Sequence, residues 1–467
     1  MTHDPELADF LKTHPEYSTT AALDSLRQTE YSRLDACSQV YLDYTGAGLY
    51  AESQILRHHQ LLSEHVFGNP HSSNPSSLAS TELVERTRAF ILQFFHADPA
   101  EYTAIFTANA SGALKIVGES YPFDPNSRYL LTFDNHNSVN GIREFAHARG
   151  ANVTYIPIAL PDMRVDESQF DLELSRPSRN GHNLFAFPAQ SNFSGVQHPL
   201  EWVARARAHG WDVLLDAAAF VPTNPLDLSS IQPDFVPVSF YKMFGYPTGI
   251  GALIARRAAL RKLHRPWFAG GTITVASVLS DKYYLADGPA AFEDGTLDYL
   301  NIPAVEIGLK HLDSIGYPAI HQRVAALTDW LLTRLSGMKH STGQPLVRIY
   351  GPVSMDGRGG AVTLNFFDRH GNAIDHRFIE SEANKSNISL RTGCFCNPGA
   401  GEVALGISRV ELDVCFHQQG HEERLSVDDF RVCIDGKSSG AVRISVGMVS
   451  NFEDIQTMLK FAKGLLN

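Results

Sequence analysis

At 467 residues, 43% hydrophobic and 19% charged, the chain is long enough for two or three domains and ordinary in composition for a globular enzyme. A formal net charge of −12 argues against nucleic acid or an anionic membrane as the main partner, while leaving room for a locally basic site that takes a small anion. The opening stretch MTHDPELADFLKTHPEY is neither a secretory signal nor a transit peptide, and no apolar run, VLLDAAAFV (213–221) included, is long enough to span a bilayer. A cytoplasmic protein is expected.

Residues 1–40 read as polar and helical, and VYLDYTGAGLY (40–50) as a short strand and a glycine turn. From about residue 100 a rhythm sets in. AIFT (104–107) predicts a strand with a helix from Ser111, and YLLTF (129–133) a strand followed by a helix through SVNGIREFAHARG. NVTYIPI (152–158) is a further strand, and NLFAFPA (183–189) another, with a helix over Pro199–His209. DVLLDAA (212–218), FVPVSF (235–240) and GIGALIA (249–255) complete the set. Strands that are continuous apolar runs between amphipathic helices predict a mostly parallel sheet of seven strands, covered on both faces. Beyond residue 300 the pattern changes to long helices (NIPAVEIGLKHLDSIG, HQRVAALTDWLLTRL), strands (LVRIYG, AVTLNFF) and a final helix FEDIQTMLKFAKGLL. This is an α/β protein with a smaller α+β domain. The expected division is an N-terminal segment over residues 1–50, a large domain over 51–300 and a small domain over 301–467.

In an open parallel sheet the ligand lies beyond the carboxyl ends of the strands. TANASG (107–112) opens a helix there, where backbone N–H groups and the Ser111 hydroxyl suit a phosphate, although an ordinary N-cap has the same appearance. DNHNSV offers His136 and QSNFSG offers Asn192, each equally readable as turn or structural chemistry. Asp216 ends an apolar strand, where a carboxylate is costly to bury without a partner. Lys242 lies in PVSFYKMFGYPTGIGALIA, an aromatic and glycine-rich setting that suits a desolvated, nucleophilic amine. A phosphate cradle, an acid for a pyridinium, a ring to stack and a buried lysine are together the parts that hold pyridoxal phosphate.

The five cysteines are Cys37, Cys394, Cys396, Cys415 and Cys433. An odd, sparse set is not a disulfide framework, and CxC is not the usual zinc spacing. Cys415, His417, His421 and Cys433 are the side chains a metal would draw on, but no metal is expected. Cys415 and Cys433 read as half-buried strand residues within VELDVCF and FRVCI.

YLDYTGAGLY, GNPHSSNPSS, PAQSNFSGVQHPL, SFYKMFGYPTGIGAL, DGTLDYLNI, RTGCFCNPGAG and GAVRISVG resemble the class V aminotransferase and cysteine desulfurase family, within it the desulfurase part of molybdenum cofactor sulfurases, from about residue 20 onward. The resemblance implies the aspartate aminotransferase-like fold type I of PLP enzymes. It implies that Lys242 holds the cofactor covalently and moves a proton, that Asp216 pairs with the pyridine nitrogen, that His136 stacks on the ring and that Asn192 meets the ring oxygen. It places Ala110, Ser111, Ser239 and Tyr241 at the phosphate, and Thr272 at the phosphate of a partner subunit, hence a homodimer. Arg443 would grip the α-carboxylate of an amino-acid substrate. The RTG-x-x-C pattern makes Cys396 the nucleophile and Cys394 its neighbour, with Arg391 able to favour the thiolate if the loop folds back. Tyr241 and Ala219 stand where bacterial desulfurases carry His and Gln. The implied reaction converts L-cysteine to L-alanine and leaves a persulfide on Cys396, for an unknown sulfur acceptor whose own domain is not expected in this chain. The alternative is another PLP reaction on an amino acid: C–S lysis, transamination or epimerisation.

Overall fold

The computed structural model describes residues 5–418, 424–433 and 440–466. The central sheet has seven strands: β1 (Tyr102–Thr107), β2 (Arg128–Thr132), β3 (Asn152–Ile156), β4 (Asn183–Pro188), β5 (Asp212–Asp216), β6 (Phe235–Ser239) and β7 (Gly251–Arg256). Their order is β1-β7-β6-β5-β4-β2-β3. The β2–β3, β2–β4, β4–β5 and β5–β6 pairs are parallel, and β7 runs antiparallel to both neighbours. The expected α/β architecture is therefore present, with β7 as the reversed strand.

Alternate residues explain the continuous apolar runs. Phe185 and Phe187 of β4 enter one core and Leu184 and Ala186 the other; Val213 and Leu215 of β5 oppose Leu214 in the same way. Successive side chains of a strand point to opposite faces, so a sheet sandwiched between helices needs apolar residues at every position. One face packs on Trp202, Val203 and Ala206 and on Ile302, Val305 and Leu309. The other packs on Ala113, Leu114 and Val117 of the helix Ala110–Ser120.

A second, antiparallel sheet has the order β8-β9-β11-β10, with β8 Val347–Tyr350, β9 Ala361–Phe366, β10 Arg391–Gly393 and β11 Ala441–Ser445. Its apolar face joins the first core through Val362, Leu364, Val442 and Ile444. The N-terminal helices lie on the same side. Phe10 packs against the rings of Trp330 and Phe452, and buried Arg323 donates to Thr20 and Asp24. The N-terminal strand Val40–Tyr41 pairs in parallel with Ile388–Ser389, just ahead of β10. A hairpin, Ile273–Ser277 with Lys282–Leu285, projects from the molecule with Val278 and Leu279 fully exposed at its tip. No helix among the described residues is long and apolar enough to cross a membrane.

The cysteine expectations need one correction. Cys415 and Cys433 lie on the helices Arg409–Phe416 and Val427–Cys433, not on strands, and are joined as a disulfide. Ser408 decides the local structure: its hydroxyl accepts from Glu411 N while the Glu411 carboxylate accepts from Ser408 N, a reciprocal cap that starts a helix. His421 lies outside the described residues, and among those described no cluster of metal-ligating side chains occurs.

Candidate active site

The strand ends converge on one cavity of about 310 Å³. Each wall follows from a strand terminus. After β1, Asn109 leaves the strand and caps the helix Ala110–Ser120, its Oδ1 accepting from Gly112 N at 2.9 Å. After β6, the Ser239 hydroxyl accepts from Ala110 N at 2.9 Å, which ties the two strand ends together. Gly251 permits this closeness: a Cβ there would stand 2.6 Å from the Asn109 backbone. The hydroxyls of Ser111 and Ser138 lie 2.6 Å apart. The positive end of an eleven-residue helix ringed by Ser111, Ser138, Ser239, Tyr241 and Thr248 is a cradle for an anion. Ser138, Thr248, Gly249 and Gln190 line the cavity without having been singled out from the sequence. The PTG turn after Lys242 was the available signal for two of them.

After β2, His136 caps the turn Asn137–Asn140, its Nδ1 accepting from Ser138 N at 3.1 Å. That bond leaves the ring proton on Nε2. Burial pushes the imidazole below its ordinary value; Asp216 opposes the shift, and Lys242 and Arg443 add to it. After β5, Asp216 Oδ1 accepts from Ala218 N at 3.0 Å. Lys242 follows β6 on the short helix Phe240–Phe244. Burial holds its amine below the ordinary value, Asp216 and a thiolate at Cys396 oppose this, and Arg443 and Arg391 reinforce it. Asp216, Arg443, Arg391 and Cys396 are thus all within electrostatic reach of Lys242.

The small sheet closes the site. Arg443, on β11, is buried, and donates from Nη2 to Asp43 Oδ1 at 2.9 Å and from Nη1 to the Asn192 carbonyl at 3.0 Å. Its Nε has no hydrogen-bond partner among the described residues. Desolvation lowers its basicity and Asp43 restores part of it. Asp43 serves two cations, because Arg391 Nε and Nη2 also reach its oxygens at 2.6–3.1 Å. Arg391 is therefore committed to Asp43. Asp43 itself was not singled out from the sequence.

The cysteine loop rests on the cavity rim. Asn192 Nδ2 donates to the Phe395 carbonyl at 2.7 Å and Asn137 N donates to the Cys396 carbonyl at 2.7 Å. Phe395 is buried against Phe193, and its ring lies 4.9 Å from the Arg443 guanidinium. Cys394 and Cys396 are both free and exposed. Thr272 is not brought to this cavity. It is buried within the single chain, and its hydroxyl donates to Ala269 O and accepts from Ala269 N, both at 2.8 Å.

These residues fit pyridoxal phosphate: the helix-end anion cradle, the Asp216 carboxylate, the His136 imidazole and the desolvated Lys242 amine all line the same cavity. The comparisons agree with that chemistry. Residues 40–458 match the class-V aminotransferase family; the chain belongs to it. Among curated relatives it is 40% identical over 461 residues to the molybdenum cofactor sulfurase of Bos taurus, covering 94% of this chain and 51% of that protein. It is 37% identical to the molybdenum cofactor sulfurase of Solanum lycopersicum, covering 99% of this chain and 60% of that protein. The chain thus spans about half to three-fifths of the length of these relatives. Among solved structures, the apo cysteine desulfurase of Thermococcus onnurineus NA1 superposes with a TM-score of 0.75 at 22% identity, covering 94% of this chain and 98% of that one. At that identity the likeness is one of fold.

Proposed function

We propose that the protein is a pyridoxal phosphate-dependent cysteine desulfurase, which moves sulfur from L-cysteine to Cys396 and releases L-alanine. The observation that carries this reading is the docking of the Cys396 loop on the wall of the Lys242–Asp216 cavity, through Asn192 and Asn137. When bound, pyridoxal phosphate supplies an electron sink that makes the α-C–H bond of an amino acid breakable.

The chain's own groups do the rest. Arg443 receives the substrate carboxylate: Nη1 and Nη2 each spend one proton, on Asn192 and Asp43, and Nε is unpartnered, so donors remain for it. Lys242, with an amine made less basic by burial, moves the α-proton. The Cys396 thiolate attacks the substrate sulfur. A S–S bond forms, the C–S bond breaks, its electron pair stays on carbon, and protonation of that carbon gives alanine. One thiol and one cysteine thus become one persulfide and one alanine, with no external oxidant.

The names of the relatives suggest molybdenum cofactor, or a protein carrying it, as the eventual sulfur acceptor. The exposed apolar hairpin around Val278 and Leu279 supports a homodimer, for which light scattering is the measurement. The chemical reading is tested by incubating purified, cofactor-loaded protein with L-cysteine and a thiol, and measuring alanine, pyruvate and sulfide together. Alanine with sulfide is expected. Pyruvate with ammonia in place of alanine would replace desulfuration by C–S lysis.

A further inference from the structure

Asn397 immediately follows the cysteine of the loop and is completely buried. Its Oδ1 accepts from Ala400 N at 3.2 Å, capping the helix Pro398–Leu405. Its Nδ2 has two protons and spends both. One goes to the Asp134 carbonyl at 2.7 Å, two residues before His136, and the other to Asn192 Oδ1 at 2.9 Å. The second contact fixes which way the Asn192 amide points. With its oxygen held by Asn397, its nitrogen must face outward, and it donates to the Phe395 carbonyl at 2.7 Å. Asn397 thus grips the loop twice, once directly and once by orienting Asn192.

The grip has something to oppose. Phe395 and Cys396 are consecutive non-glycine residues with φ of 56° and 54°. An L-residue avoids this left-handed region because its Cβ crowds the following carbonyl, so a pair in sequence reverts unless contacts hold it. The hydrogen bonds from Asn192, Asn137 and Asn397 hold it together with the packing of Phe395 on Phe193.

We infer that Asn397 is a positioning residue for sulfur transfer: its side-chain amide keeps the Cys396 loop registered against the cavity wall by orienting Asn192. This rests on the desulfurase reading given above. A helix cap alone needs only the oxygen of Asn397, whereas the positioning role needs its NH₂ group.

Asn397→Ser separates the two roles, since serine caps helices well but cannot reach Asp134 and Asn192 together; Asn397→Ala removes both. With cofactor-loaded protein and L-cysteine, persulfide formation on Cys396 is expected to fall about 100-fold in both variants, the scale for a reacting group displaced by roughly 1 Å. Exchange of the substrate α-proton with deuterium, which does not involve Cys396, is expected to fall far less than persulfide formation, by no more than a few-fold. The Asn137 amide, which donates to Cys396 O, is expected to exchange hydrogen faster in both variants.

Wild-type persulfide formation in Asn397→Ser, or a parallel loss of α-proton exchange, would overturn the inference. If the wild-type protein itself forms no persulfide, the desulfurase reading fails. Hydrogen exchange at Asn137 then still tests the grip, and unchanged protection in both variants would overturn it.

Discussion

Arg443→Ala separates what the buried arginine does for the fold from what it does for the substrate. Removing one member of a buried ion pair usually costs 3–5 kcal/mol, approximately, because the other charge is stranded. Here Asp43 is not stranded. Arg391 holds it with three contacts of 2.6–3.1 Å, so its charge remains answered when Arg443 is gone. The expected stability loss is therefore nearer the worth of one charged hydrogen bond, about 1.5–3 kcal/mol. Substrate binding has no such substitute. Losing a charge-assisted carboxylate contact costs about 2–4 kcal/mol, or roughly 30- to 1,000-fold in KM for L-cysteine. The assay is a KM series on cofactor-loaded protein, with bound pyridoxal phosphate measured by absorbance and stability by urea unfolding. An unchanged KM, or loss of the cofactor together with the substrate, would place the carboxylate elsewhere. Asp43→Ala is the control, because it strands two guanidinium groups and should destabilise the fold more than Arg443→Ala does.

Lys242→Ala is expected to fold yet to lose borohydride-fixable cofactor, and equal labelling of mutant and wild type would point to another lysine. Cys396→Ser should retain the yellow cofactor and lose alanine and persulfide, while Cys394→Ser keeps most of both; mass spectrometry should find about 32 Da, one sulfur, on Cys396, and alanine at the wild-type rate from Cys396→Ser would refute its role as the nucleophile. Burial, with the nearby charge of Asp212, raises the Asp234 carboxyl to about 6. A folded pKa above the unfolded one stabilises the protein at low pH, and this contribution fades as pH rises through about 6. Asp234→Asn should therefore be more stable than wild type at pH 7, on the order of 2–3 kcal/mol, with the advantage vanishing near pH 4; no pH dependence in the difference would count against the shift.

The sheet was legible because its strands are buried on both faces, so each appears as an unbroken apolar run, and residues just beyond β1, β2, β4, β5 and β6 line the cavity. His136, Asn192, Asp216 and Lys242 could be picked out for that reason. Asp43 could not, because its partners lie 348 and 400 residues away and nothing local distinguishes it from a turn aspartate. Asn397 reads locally as a helix cap, which it is; its second role depends on residues more than 200 positions distant. The disulfide was missed for a different reason. VELDVCF alternates well enough to pass for a strand, whereas the S-x-x-E box at Ser408–Glu411 makes it a helix.

The double grip on Asp43 has a consequence for how the protein is made. Synthesis delivers this carboxylate among the first fifty residues and both of its arginines only after residue 390. The parallel sheet and its lysine can assemble on the ribosome well before then, since domains tend to fold in the order they emerge. A nascent chain that stalls in between would hold Asp43 with neither of its guanidinium partners. Such a fragment would lack the group proposed to capture an amino acid by its carboxylate. The pairing of Arg443 with an aspartate 400 residues earlier makes the proposed substrate capture wait until both have been synthesised.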